Sequence, residues 1–337
     1  MTFDELQKAL TEKIVAGGGG LWVPNTGDVN WPRPLNFRGA TNVELRFERG
    51  YRCIPRFSAE YGNCPVVDMA DTQKSAIRNL RMKLPIENPV PACGLLLARS
   101  GPTLNTNYNV IDGCDIEGAF GNENEEGQGG ACVMNIGSEI MHMTNRCSLR
   151  FKGQRGGAYY TSAFNTYNIR SPYGPVMGPD APVSNAGGTI DGSCHFACDG
   201  PTEYPDERYV IGIGSRTGSL WVRDVYVTAK TFGSLRCVFW LGDRWDTKHL
   251  WAGVNNVCIE NVHDEATAAE YFAYVQGPCR GVVLRNIANV QAGMPVGYGD
   301  VYGMRHVDGM RLENVQHRPY APYWTGRPLA THRKEDK

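Results

Sequence analysis

Apolar and polar residues alternate in short phrases along most of the chain. Val43, Leu45 and Phe47 interleave with Asn42, Glu44 and Arg46, a period of two that predicts a half-buried strand. A related phrase, apolar alternation closed by Asn or Asp and then one more apolar residue, returns as AIRNL from Ala76, VCIENV from Val257, VVLRNI from Val282 and MRLENV from Met310. Looser versions are LWVRDV from Leu220, NVIDGCDI from Asn109 and MHMTNRCSL from Met141. With the amide or carboxylate as marker, the phrase falls at Asn79, Asp115, Asn145, Asp224, Asn261, Asn286 and Asn314. The wide gap between Asn145 and Asp224 is read as two or three units. Recurrence at this spacing marks stacked supersecondary units. Asn and Asp suit a repeated corner because they tolerate left-handed backbone and bond nearby main chain.

Short strands with no helical periodicity between them predict an all-β chain wound as a right-handed parallel β-helix. An antiparallel sandwich or barrel is the alternative. Against it, few Asn-Gly or Asp-Gly hairpin signals separate closely spaced strands.

One helix precedes the strands. Thr2 followed by Glu5 forms a capping-box pattern, Leu6, Leu10 and Ile14 recur at helical spacing, and Gly17 to Gly20 end the segment where positive φ costs little. Residues 1–20 are therefore a capping helix with a Gly-rich turn, and 21–317 form the solenoid. Residues 153–188, dense in Gly, Pro and Tyr, are expected to project as loops, on the face where such insertions build binding sites. Residues 318–337 read as an extended tail whose Tyr320, Tyr323 and Trp324 are expected to anchor on another subunit.

Composition sharpens this picture in three ways. Glycine and proline, at 40 and 20 residues, exceed ordinary usage and fit many turns around one core. The net charge of −1, from 34 basic and 35 acidic residues, gives nucleic acid no basic patch to bind. The eleven cysteines, spread from Cys53 to Cys279, read as reduced core thiols acting as small hydrophobes. No apolar run approaches a membrane span. The charged start of the chain lacks the pattern of a secretion signal.

The opening residues resemble the N-terminal module of the pectate-lyase-like β-helix superfamily, found in bacteriophage tailspikes and in polysaccharide lyases and hydrolases. The helix DELQKALTEKIVA leads into AGGGG, then LWVP, then PLNFRGATNVELRFERG as the strands of a first coil. The resemblance implies the β-helix fold and a glycan-related role. It transfers no catalytic residues, because the Asn-Thr-Asp, Asp-Asp and Gly-His-Gly phrases of polygalacturonase-like members are missing from this sequence. A capping helix beginning at Thr2 and a short tail differ from ordinary tailspikes and point to a smaller virion part, such as a capsid decoration protein.

Candidate chemistry lies in several separate segments. Asp115 and Glu117, at alternate positions of one strand beside Asp112, would project together, and glycoside hydrolysis needs such a carboxylate pair. Asp243 and Asp246 form a second pair. Tyr159, Tyr160, Tyr167, Tyr173, Trp245 and Trp251 are candidates for sugar stacking, since saccharides offer apolar faces to rings. Glu123, Glu125 and Glu126 lie in a polar stretch without EF-hand spacing. Asp191, His195 and Asp199, with Cys194 and Cys198 around the histidine, lack a second ligand pair of zinc spacing. No metal or cofactor is expected.

The resulting expectation is a virion-surface β-helix protein, homotrimeric, made in the host cytoplasm without a signal peptide. It would attach to other virion proteins through its tail and adhere to host polysaccharide, with no membrane or nucleic-acid partner. A polysaccharide lyase or glycoside hydrolase acting on surface glycan is the alternative. An intracellular scaffold is a third class.

Overall fold

In the computed structural model, residues 1–85, 91–101, 107–121, 129–163, 169–176, 187–214, 216–231, 235–242, 253–299 and 307–318 are described. The helix Phe3–Val15 opens the chain with the full capping box. Thr2 Oγ1 accepts from the Glu5 N–H, and the Thr2 N–H donates to Glu5 Oε2. Phe3, Leu6 and Leu10 are buried and seal the first coil, with Phe3 edge-on to Trp31 at 5.5 Å.

Beyond the helix, the chain repeats a three-strand coil. In the fourth coil the strands are Asn107–Asp112, Asp115–Gly118 and Gly130–Ile136. We call the three faces A, B and C in that order. Each strand pairs in parallel with its equivalent one coil earlier and one coil later, as Ile111 does with Ile77 and Met143. In-register stacking places like on like, so one interior column of face A runs from Leu21 through Leu45, Ile77 and Ile111 to Leu284 and Leu312. Burying each such side chain stabilises the coil by roughly 1.5–3 kcal/mol. The pairing is that of a parallel β-helix, in which crossover connections are right-handed.

The repeated Asn or Asp occupies the tight corner between faces A and B. Asn79, Asn145, Asp224, Asn261, Asn286 and Asn314 all have φ between 51° and 58°, where only Gly, Asn and Asp sit cheaply. Side chains link several corners, as where Asn314 Nδ2 donates to Asn286 Oδ1 and Asn261 Nδ2 to Asp224 Oδ1, both at 3.1 Å. Asp115 does not belong to this series. In its coil the corner is Gly113, at φ 61°, where a Cβ would lie 2.7 Å from Asn79 Oδ1, and Asp115 begins the next strand. The gap from Asn145 to Asp224 holds two units, the intermediate corner being Gly192 and Ser193.

Face C departs from simple alternation. Cys132 with Val133, Ala158 with Tyr159, Val210 with Ile211 and Phe272 with Ala273 are adjacent pairs that both enter the main core. Their flanking residues, among them Ala131, Met134, Tyr160, Tyr209 and Tyr274, face outward and belong to a second apolar cluster. Part of the glycine-rich stretch expected as loop is such a strand, Gly156–Ser162. Its glycines are steric necessities, since a Cβ on Gly156 would fall 2.0 Å from the Gly130 carbonyl oxygen and one on Gly157 would fall 2.4 Å from the Tyr209 ring. The insertion begins after this strand. Its residues 169–176 fold back over the early coils of face C, held where Ser171 Oγ bonds Asp68 and where Arg38 donates to the Pro175 carbonyl at 2.9 Å. All eleven cysteines are free thiols and all but Cys258 are buried.

Candidate functional site

Asp115 and Glu117 do project together from the outer surface of face B. Parallel register stacks Lys83, Glu117 and Arg150 in one row and Arg81 over Asp115 in the next. Arg150 bridges Asp115 Oδ1 at 2.9 Å and Glu117 Oε2 at 3.2 Å, and Lys152 holds Glu117 as well. Face A carries a similar ladder, Glu260, Arg285 and Glu313, with Arg285 2.8 Å from Glu313. The physical cause is the stacking itself. Strands about 4.8 Å apart would set like charges against each other, so the rows alternate in sign.

This environment does not suit a general acid. Burial opposes ionisation of Glu117, but the Lys152 hydrogen bond and the charges of Arg150, Lys152 and Lys83 outweigh it and hold the carboxyl below its ordinary value. A glycosidase acid requires the opposite shift.

The aromatic candidates separate by face. Tyr159 is fully buried in the core, where a saccharide cannot reach, and burial pushes its phenol pKa up. Its neighbour Tyr160 faces outward. Alternation could not assign the two, because two adjacent residues turn inward on this face. Tyr173 is a loop anchor, its hydroxyl donating to the Pro34 carbonyl at 2.5 Å. Asp243, Asp246, Trp245, Trp251, Tyr167, Glu123, Glu125, Glu126 and the tail aromatics lie outside the described residues. His195 also projects from face B, its Nε2 3.1 Å from Thr228 Oγ1, whereas Cys194 and Cys198 are buried. Burial and the Arg150 charge lower the imidazole pKa. Asp191 pairs with Arg223 at 3.4 Å. Among the described residues no three His, Cys, Asp or Glu side chains converge as metal ligands.

The structure assembles a site that these candidates only touch. On the outer surface of face C, Tyr160, Tyr209, Trp240, Tyr274 and Tyr271 form a continuous row, with successive ring centroids 6.1, 6.0, 5.4 and 5.2 Å apart. Register produces it, since Cys237 stacks between Tyr209 and Tyr271 while Trp240 lies between Gly212 and Tyr274. Glycines let the rings lie on bare backbone. A Cβ on Gly212 would fall 2.7 Å from the Tyr209 ring, and one on Gly297 would fall 2.3 Å from that of Tyr271. Tyr160, Tyr209 and Tyr274 are buried, and Trp240 and Tyr271 are half-buried, so the row opens toward the later coils.

A polar cluster borders the open end. Arg236 reaches Glu270 at 2.7 Å and Asp206 at 3.2 Å, with its guanidinium 5.0 Å from the Tyr274 ring centroid. Burial works against the Arg236 charge, but Glu270 and Asp206 outweigh it and raise its pKa. Burial and the Glu270 charge push Tyr271 up to about 12, which leaves its phenol a neutral hydrogen-bonding group at physiological pH. Two carboxylates around one guanidinium leave the cluster net acidic. Rings for stacking beside fixed polar groups are the elements that orient a saccharide.

No family model and no curated protein matches the sequence. Among solved structures, the chain resembles an alginate lyase from Paenibacillus sp. str. FPU-7, with a TM-score of 0.53 and 12% identity over 94% of this chain and 97% of that one. The likeness is one of fold. A mannuronan C-5 epimerase A-module from Azotobacter vinelandii aligns at TM-score 0.36 and 12% identity, over 95% of this chain and 94% of that one. An endo-xylogalacturonan hydrolase from Aspergillus tubingensis aligns at 0.32 and 10%, over 94% and 89%. Neither of the last two superposes closely enough to support an argument.

Proposed function

We propose that this β-helix binds polysaccharide along the outer surface of face C, as an adhesion surface rather than a site of turnover. The later end of the aromatic row carries the reading, because Trp240 and Tyr271 remain half-buried there and Tyr271 lies against the Gly297 backbone of the next coil, where a linear glycan could stack. The acidic balance of Arg236, Glu270 and Asp206 favours neutral sugars, whose hydroxyls these groups can bond, over polyuronates, which they would repel. Mass-balanced binding screens of neutral and acidic polysaccharides test this, with retention of neutral glycan expected and preference for uronate contradicting it.

A depolymerase is the second reading, favoured by the two carboxylates Asp206 and Glu270 beside the row. A reducing-end assay on every glycan retained separates the two, since turnover would replace adhesion. A setting on a virion surface and a trimeric assembly belong to the same proposal. Light scattering of purified protein and immunolabelling of particles from the source host test them, a monomer or unlabelled particles standing against.

A further inference from the structure

Three cysteines occupy one column inside the corner between faces A and B. Asp115, Ser148 and His195, each directly following a cysteine, stack in register, so Cys114, Cys147 and Cys194 lie on three successive coils. The main chain ties them together, the Ser148 N–H donating to the Cys114 carbonyl and the His195 N–H to the Cys147 carbonyl, both at 2.8 Å. On the coils before and after, Leu80 and Val225 hold the same position.

The sulfurs of this column interact. Cys147 is hydrogen-bonded to the thiols of both Cys114 and Cys194, and the Cys114 N–H donates to Cys147 Sγ at 3.4 Å. As a neutral thiol, Cys147 donates to the Thr144 carbonyl at 3.1 Å. Once ionised, it accepts from the two flanking thiols, which lowers its pKa and raises theirs. The middle sulfur is therefore the nucleophile of the three. All three are buried, yet the corner residues just before them, Asn145 and Arg146, and Gly192 and Ser193, are exposed. A cover this thin excludes bulky reagents and admits a water-sized oxidant when the corner opens locally.

We propose that Cys147 is a modification site for hydrogen peroxide, and that Cys114 or Cys194 resolves the product as a disulfide between adjacent coils. The Cys147 thiolate attacks one peroxide oxygen, forming a sulfenic acid and releasing hydroxide, which takes up the proton that Cys147 lost. The neighbouring thiol then attacks the sulfenic sulfur, forming the S–S bond and releasing water. Two thiols are oxidised and one peroxide is reduced to two waters. Adjacent coils, about 4.8 Å apart, fall within the span of about 4.4–6.8 Å between the Cα atoms of a disulfide.

Peroxide treatment of the folded full-length protein, followed by catalase, alkylation in denaturant and peptide mapping by mass spectrometry, tests the proposal. Cys147 and one neighbour should lose their thiols at least about tenfold faster than any other cysteine, and dithiothreitol should restore both. Cys147→Ser should abolish the fast phase, whereas Cys279→Ser should leave it intact. In the double variant Cys114→Ser, Cys194→Ser, oxidation of Cys147 should stop at the sulfenic acid, trapped by dimedone on unfolding. Circular dichroism establishes that each variant is folded. Thiol loss spread evenly over the eleven cysteines, loss that requires denaturant during the peroxide step, or a fast phase that survives in folded Cys147→Ser overturns the proposal.

Discussion

Asp264 should make the late coils less stable as pH rises from about 4 to about 6. Its side chain stands on face B in register with buried Val227, in a column that is apolar in the earlier coils. Burial pushes its carboxyl up to about 6, despite hydrogen bonds from the Ala266 and Gln291 amides at 2.8 and 2.9 Å. A carboxyl raised above its unfolded value near 4 binds its proton more tightly in the folded state. Stability is therefore greatest below about pH 4 with respect to this group, falls between about 4 and 6, and levels above. The shift corresponds to roughly 3 kcal/mol, since each pH unit is about 1.4 kcal/mol, and near-complete burial leaves little solvent screening. Asp264→Asn removes the titration. It also leaves the Gln291 N–H facing an amide, at a cost of about 1–3 kcal/mol that does not vary with pH. Urea unfolding of both proteins from pH 4 to 7.5, in a His263→Gln background to remove the neighbouring titration, gives the difference curve. The parent's advantage should decline by up to about 3 kcal/mol across the window. A flat or rising difference would refute the burial argument.

Three further outcomes follow from the packing. Asn286→Ala should destabilise by about 1–2 kcal/mol, because alanine is strained at φ 51° and the Asn314 side chain loses its acceptor, while Asn286→Gly should cost less; thermal unfolding distinguishes them. Gly157→Ala should lower the melting temperature through about 1–3 kcal/mol of overpacking against the Tyr209 ring, whereas Gly20→Ala, with open space at its Cβ, should not lower it through a steric clash. Asp115→Asn and Glu117→Gln should each cost under about 1 kcal/mol, as half-exposed ladder pairs do, and should leave glycan binding unchanged in the same pull-down that tests the parent.

The corners were the most legible part of the fold, because Asn79, Asn261, Asn286 and Asn314 each follow a strand with clean alternation and satisfy a backbone demand few residues meet. Asp115 misled because glycine met the same demand two residues earlier. The aromatic row was hidden for a different reason. Tyr209, Trp240, Tyr271 and Tyr274 sit in the near-continuous apolar runs YVIGI, LRCVFWL and AEYFAYV, where paired inward residues erase the period of two. Outward rings there read as core. Aligning these runs by coil would have revealed the spacing, with Tyr209, Cys237 and Tyr271 in one column and Gly212, Trp240 and Tyr274 in the other. The surroundings of Asp115 and Glu117 could not be read from the sequence, because the cations beside them, Arg150 and Lys152, come from an adjacent coil distant in sequence.

Calorimetric titration of a retained neutral oligosaccharide into the parent protein and into Trp240→Ala and Tyr271→Ala variants is the most direct measurement, with unfolding curves confirming that each variant remains folded. Loss of a stacked ring at the centre of an interface should weaken binding by about tenfold or more, while Asp115→Asn should bind like the parent. Unchanged affinity in both ring variants, or loss confined to Asp115→Asn, would contradict placement of the glycan on face C.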